Sequence, residues 1–187
     1  MTLQTPPPFT VELGPDLEVD LGEAVEVDPF FSLPVESFTW GPPELVSCEP
    51  DCENPVWTPT ASNTYYIEAV STEGCLATDS IGIIVNEVRK VYIPNAFSPD
   101  GDGINDAFTI YGDMPNVQQI VQLTVYDRWG GVVFEEKKGF LPNDLGAGWD
   151  GTARGERLPA GIYTYLVKIR FLDEVVLAYA GDVLLIR

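Results

Sequence analysis

Tyr163-Thr-Tyr-Leu-Val-Lys-Ile-Arg-Phe171 is the stretch that decides the fold. Tyr163, Tyr165, Val167, Ile169 and Phe171 fall on one face of an extended chain, and Lys168 and Arg170 on the other. A period of two residues marks a half-buried β-strand. A turn at Asp173-Glu174 then returns the chain through Val175–Tyr179, and Asp182–Ile186 is expected as a last strand. Upstream, Val121, Leu123 and Val125 alternate with Gln122 and Thr124 before Asp127-Arg128-Trp129-Gly130-Gly131 turns the chain into Val132–Glu135, which reads as a hairpin. The first half shows the same grammar in shorter pieces. Leu17–Leu21, Ala24–Val27, Ser37–Trp40, Pro55–Pro59, Thr64–Val70 and Leu76–Val85 are candidate strands, separated by turns such as Gly14-Pro15, Gly41-Pro42-Pro43 and Glu73-Gly74. Helical periodicity is absent. The fold class expected is all-β, with two consecutive immunoglobulin-like β-sandwich domains. Trp40 suits the buried core tryptophan of the first.

Charge divides the chain at the same level. The 187 residues carry a formal charge of −19, yet up to Glu87 there are 16 acidic residues and no Lys or Arg. From Val88 onward there are 13 acidic residues against all 10 basic ones, a net of −3. Such asymmetry between halves predicts a domain boundary. The divisions expected are a linker over 1–8, an acidic domain over 9–88 and a second domain over 89–187. Three successive prolines, Pro6 to Pro8, suit the linker. The first residues lack the basic start and apolar run of a secretory signal peptide.

Several function classes are excluded early. Nucleic acid and anionic membrane surfaces need clustered Lys and Arg, which are scarce here. No apolar run approaches the ~20 residues of a membrane helix. Histidine is absent, which removes imidazole general bases and the commonest zinc ligand together. No phosphate-cradling glycine motif precedes a helix, and no carboxylate pair stands out among the 29 acids. The chain reads as a non-enzyme with no small-molecule substrate.

The densest motif is Asn95-Ala-Phe-Ser-Pro-Asp-Gly-Asp-Gly-Ile-Asn-Asp106. Alternate positions Asp100, Asp102, Ile104 and Asp106 are candidate metal positions, because Ca²⁺ takes several oxygen ligands and tight glycine turns let one short segment supply them. The match to an EF-hand loop fails at Asn105, where Gly is required, and at Tyr111, where Glu is required. The other reading is a rigid loop in which Asp and Asn side chains accept hydrogen bonds from nearby amides. Both stand. No cofactor is required by either, and Ca²⁺ is the one the first reading would take.

Of the three cysteines, Cys48 and Cys52 flank Pro50 and are expected to close a small disulfide loop, leaving Cys75 buried or free. Trp149-Asp-Gly-Thr152 and Leu158-Pro-Ala-Gly-Ile-Tyr163 read as structural turns: an indole entering the core, a carboxylate accepting amides, and a glycine permitting positive φ.

The segment Val91-Tyr-Ile-Pro-Asn-Ala-Phe-Ser-Pro-Asp-Gly-Asp-Gly-Ile-Asn-Asp-Ala-Phe-Thr-Ile110 closely resembles the opening of the gliding motility-associated C-terminal domain, also called the type B sorting domain of type IX secretion. Val125-Tyr-Asp-Arg-Trp-Gly-Gly-Val-Val-Phe-Glu135, Gly148-Trp-Asp-Gly-Thr152, Leu158-Pro-Ala-Gly-Ile-Tyr163 and Gly181-Asp-Val-Leu-Leu-Ile-Arg187 match in order and spacing. One departure is Asp100, where the family usually has Asn. The preceding domain is similar to immunoglobulin-like or PKD-like modules. The resemblance implies a secretion-targeting module. Such domains end large secreted or cell-surface proteins of Bacteroidetes, adhesins among them, and are read by the type IX outer-membrane machinery after passage through the periplasm. On that basis residues 9–88 act as a spacer, and the chain is expected to be monomeric as a fragment. The sorting-receptor surface is expected at the Asp127–Gly131 turn and the C-terminal hairpin, through Asp127, Arg128, Trp129, Lys168, Arg170 and Arg187; ordinary solvated charge is the other reading of these residues. The alternative function is a calcium-stabilised adhesion module that binds a glycan or protein partner.

Overall fold

The computed structural model describes residues 7–44, 46 and 54–187. Among them there is no helix, and the chain separates into two compact units, Met1–Val88 and Arg89–Arg187. The Cys48–Cys52 pairing and most of the proposed linker lie outside the described residues. Cys75 is an exposed free thiol.

The first unit holds β1 (Val11–Glu12), β2 (Leu17–Asp20), β3 (Val25–Glu26), β4 (Phe30–Phe31), β5 (Val35–Gly41), β6 (Val56–Trp57), β7 (Asn63–Ser71) and β8 (Leu76–Asn86). Four of them form the main sheet in the order β2-β8-β7-β5, while β1 pairs with β4 and β3 with β6. Tyr65, Ile67 and Ala69 on β7 and Ile81, Ile83 and Val85 on β8 turn to one face and are buried. Trp40 is buried beside Trp57, their ring centroids 6.3 Å apart, and Trp57 lies 4.9 Å from Tyr65. Carboxylates tie down the entering chain: the Leu13 amide donates to Asp79 and the Gly82 amide to Asp16.

The second unit holds β9 (Val91–Tyr92), β10 (Ala96–Phe97), β11 (Tyr111–Gly112), β12 (Val117–Tyr126), β13 (Val132–Glu136), β14 (Thr152–Ala153), β15 (Glu156–Arg157), β16 (Gly161–Phe171) and β17 (Val176–Leu185). Its main sheet runs β10-β17-β16-β12-β13, with β9 paired to β11 and β14 to β15. The alternation of Tyr163 to Phe171 is realised in β16, whose five inward side chains are all buried. They pack on Leu123 and Val125 of β12 and on an aromatic cluster in which Phe97 lies 5.2 Å from Trp149, and Phe108 5.2 Å from Tyr165. Each such side chain contributes about 1.5–3 kcal/mol on leaving water, so this cluster sets where the surrounding loops sit.

One scheme serves both units. The first strand of each main sheet runs parallel to the closing strand, β2 with β8 and β10 with β17, and the last two strands form the longest antiparallel pair. The all-β class is as expected. A closed sandwich is not seen: among the described residues every sheet besides the two main ones has only two strands. Proline explains part of this, since Pro29, Pro34, Pro55, Pro94, Pro99 and Pro142 interrupt the covering segments and cannot donate to a ladder. A second difference concerns the C-terminus, where the two expected strands are one, β17, continuous through Gly181.

Candidate functional site

Three places in the second unit carry the candidate residues. The first is the loop between β10 and β11. Three residues in it have positive φ, namely Gly101 (86°), Gly103 (86°) and Asn105 (56°), and they fold it into a compact coil. Asp106 accepts from the amides of Gly101 at 2.7 Å and Gly103 at 2.8 Å, Asp100 accepts from Asp102, and Asp102 accepts from Ile104 at 2.7 Å. The two glycine amides hold the Asp106 carboxyl below its ordinary range, outweighing a small opposing effect of burial. Asp100, Asp102 and Asp106 thereby present carboxylate oxygens within 4.8 Å of one another on the surface, an arrangement able to hold a divalent cation. Ile104 joins the loop through its amide, while its side chain points outward.

The second place is the turn between β12 and β13. Asp127 fixes it from inside. Its carboxylate accepts from the amides of Trp129 at 2.9 Å and Gly131 at 2.8 Å, and its backbone closes the turn with Gly130 and Gly131. Trp129 is thus held out in solvent, 82% exposed, with the Arg128 guanidinium 5.1 Å above its ring. Beside them runs the segment from Leu158 to Tyr163, so that Asp127, Arg128 and Trp129 share a shallow slot with Pro159, Ile162 and Tyr163. The Tyr163 hydroxyl donates to the Pro159 carbonyl at 2.9 Å. Burial lifts that hydroxyl above the ordinary tyrosine range, against the pull of Arg128 and Arg187.

The third set, Lys168, Arg170 and Arg187, is not one surface. Lys168 faces Gln122 and Ala178 across the sheet and is exposed, whereas Arg170 lies next to the β16–β17 turn, 3.8 Å from Glu174. Both stand on β16 away from the Arg128 turn, since Tyr126 pairs with Thr164 and the four and six residues of strand from there to Lys168 and Arg170 span about 13 and 20 Å. Arg187 lies just beyond β17 and is turned to the chain itself, donating to the carbonyls of Gly151 at 2.9 Å and Leu158 at 3.3 Å. So the structure gathers Asp127, Arg128 and Trp129, braces them indirectly through Arg187, and leaves Lys168 and Arg170 apart.

Sequence reasoning missed the wall of the slot. Leu158 to Tyr163 reads as a turn on its own, and only the pairing of β12 with β16 brings it to Trp129. The Trp149 motif is as expected: the indole is buried and donates to the Thr152 carbonyl, and Asp150 accepts from the Thr152 amide and hydroxyl.

The model of the family described as CHU_C type IX secretion signal domain matches residues 91–179. No curated protein matches the chain. Among solved structures, similar ones include the CbhA fibronectin(III)-like modules of Clostridium thermocellum, at 13% identity and a TM-score of 0.34, covering 94% of this chain and 92% of that chain. Dimeric latent PorU from Porphyromonas gingivalis is similar at 16% identity and a TM-score of 0.35, over 92% of this chain and 19% of that chain. Bacteroides ovatus SGBP-B, from a mixed-linkage glucan utilization locus, is similar at 12% identity and a TM-score of 0.35, over 94% and 44%.

Proposed function

Residues 91–179 carry a type IX secretion signal domain, and from that premise we propose that this chain directs a larger protein across the outer membrane through the type IX machinery, to the cell surface or the medium of a Bacteroidetes-type bacterium. The observation that carries the reading is the extent of the match, from β9 into β17, which is nearly the whole second unit. The matched family is a secretion signal and not an enzyme family. In this reading residues 89–187 are the signal and residues 9–88 an immunoglobulin-like or PKD-like spacer, each unit a sandwich whose second layer is reduced to paired fragments. The recognition surface is the end of the sheet that holds Asp127, Arg128 and Trp129, with Arg187 supporting it; Lys168 and Arg170 form a separate basic strip.

The test is to fuse the full chain behind a signal peptide and a reporter in a type IX-competent host. Export to the surface or medium with the full chain, and periplasmic retention when only residues 1–88 are fused, is the expected result. Equal export of the 1–88 fusion would sink the proposal.

A second reading, compatible with the first, is that the β10–β11 loop binds Ca²⁺ and that the module serves adhesion to a glycan or protein. What favours it is the convergence of three carboxylates. Titration calorimetry with calcium chloride, and melting with and without chelator, decides it. A melting temperature raised by Ca²⁺, and not raised in Asp102→Asn, supports cation-linked folding; no shift in either protein counts against it.

A further inference from the structure

The slot beside Trp129 keeps strong donors free on its rim. Several of its acceptors are engaged: Asp127 Oδ1 by the amides of Trp129 and Gly131, the Pro159 carbonyl by the Tyr163 hydroxyl, and the Leu158 carbonyl by Arg187. The free donors are the Arg128 guanidinium, which makes no ion pair among the described residues, and the indole edge of an exposed tryptophan. Between them lies an apolar floor of about 120 Å³, well below the ~300–1,000 Å³ of a small-molecule pocket and of a size for one side chain. Apolar surface continues from it across exposed Ile162 to its cross-strand neighbour Leu184. Both walls are held rigid by those same hydrogen bonds, so little ordering is required on docking.

We propose that this slot docks an acidic peptide segment of a protein partner, one apolar side chain entering between Trp129 and Pro159 while a neighbouring carboxylate pairs with Arg128. Trp and Arg together are the residue types that dominate protein interfaces, and carboxylate on guanidinium is the stronger, charge-assisted form of the contact. An anionic membrane fits less well because the single cation of the slot, Arg128, gives little surface attraction. The inference rests on the export reading only for where such a partner is met: the occupant is a segment of the outer-membrane machinery.

The experiment follows the indole and guanidinium resonances of the full chain by NMR. The probes are the capped pentapeptide Glu-Phe-Glu-Leu-Glu, its Gln and Lys counterparts, cellohexaose, and phosphatidylglycerol vesicles. The acidic peptide is expected to shift Trp129 and Arg128 selectively and to bind about tenfold more tightly than the Gln peptide. Trp129→Ala should weaken it about tenfold or more and Arg128→Gln by a similar factor, while the exposed Lys138→Gln leaves it unchanged. No shift of Trp129 up to about 10 mM peptide, equal binding of the Lys peptide, or preferential binding of the sugar or vesicles overturns the proposal. The fusion assay separates this from the export reading. If the wild-type chain is exported and Trp129→Ala is exported equally well, docking to the machinery is overturned and the signal reading stands. If the wild type is not exported, the signal reading falls, and the peptide titration still decides the chemistry of the slot.

Discussion

The hydroxyl of Tyr165 lies 2.7 Å from the point where a β-carbon on Gly181 would stand, with two ring carbons at 3.0 and 3.2 Å. Glycine is therefore required inside β17 for space, not for a turn, and the strand passes through it without a break. Gly181→Val should cost about 1–3 kcal/mol by forcing the ring out of its well, read as a lower urea midpoint at unchanged slope; an unchanged midpoint would show that Tyr165 yields freely. At the opposite extreme of exposure, Asp106 is held by two glycine amides that favour its ionised form. Its carboxyl is depressed in the folded chain, so the contribution it makes to loop closure is complete above the ordinary carboxylate pKa of about 3.9. That contribution is lost as pH falls through the lower folded value. The amide resonances of Gly101 and Gly103 should accordingly titrate with a midpoint below that of a free aspartate, and a midpoint at or above it would refute the assignment.

The β16–β17 hairpin is closed by Phe171 and Val175 and carries Glu174 at a φ of 64°. Beneath this turn sits Arg89, the first residue of the unit, paired with Asp173 and stacked 5.2 Å from the ring of Phe171. Only 12% and 11% of the two charged side chains remain exposed, so removing Arg89 leaves a mostly buried Asp173 carboxylate without this cation. Arg89→Ala is expected to destabilise the second unit by about 2–4 kcal/mol, measured by denaturant unfolding followed at buried Trp149. The hairpin also shows what a sequence can disclose. A period of two sustained over Tyr163 to Phe171 identifies a strand and its inner face without help from tertiary structure. Two-residue strands such as β10 or β14 carry no period at all, and the parallel pairing of β10 with β17 depends on residues nearly ninety positions apart. Gly181 looked like a break because its reason, the ring of Tyr165, lies on the neighbouring strand. The same distinction governs the sites. The Asp100–Asp106 loop was legible because each carboxylate reaches an amide two to five residues away. The slot was not, because its two walls meet only across the sheet, and Arg187, read as a free surface charge, finds its carbonyls at Gly151 and Leu158.

For the whole molecule, charge is the property most unevenly distributed. The first unit bears 16 carboxylates with no Lys or Arg to offset them, and the second is nearly balanced. Self-repulsion in the first unit is screened by salt. Raising ionic strength from ~10 mM to ~0.5 M, which shortens the screening length from about 30 Å to a few ångströms, should therefore raise the melting temperature of the first unit more than that of the second. Trp40 and Trp57 report on the former and Trp149 on the latter, so selective variants separate the two transitions; equal shifts would contradict the argument. The parallel clasp of each main sheet's first strand on its closing one, repeated in both units, has a consequence in time. Ala96 and Phe97 find their partners only at Leu184 and Leu185, so the second sheet cannot shut until synthesis has run almost ninety residues further. A ribosome that stalls anywhere between leaves an open chain, and whatever reads this unit as folded reads, in effect, a certificate that translation passed residue 185.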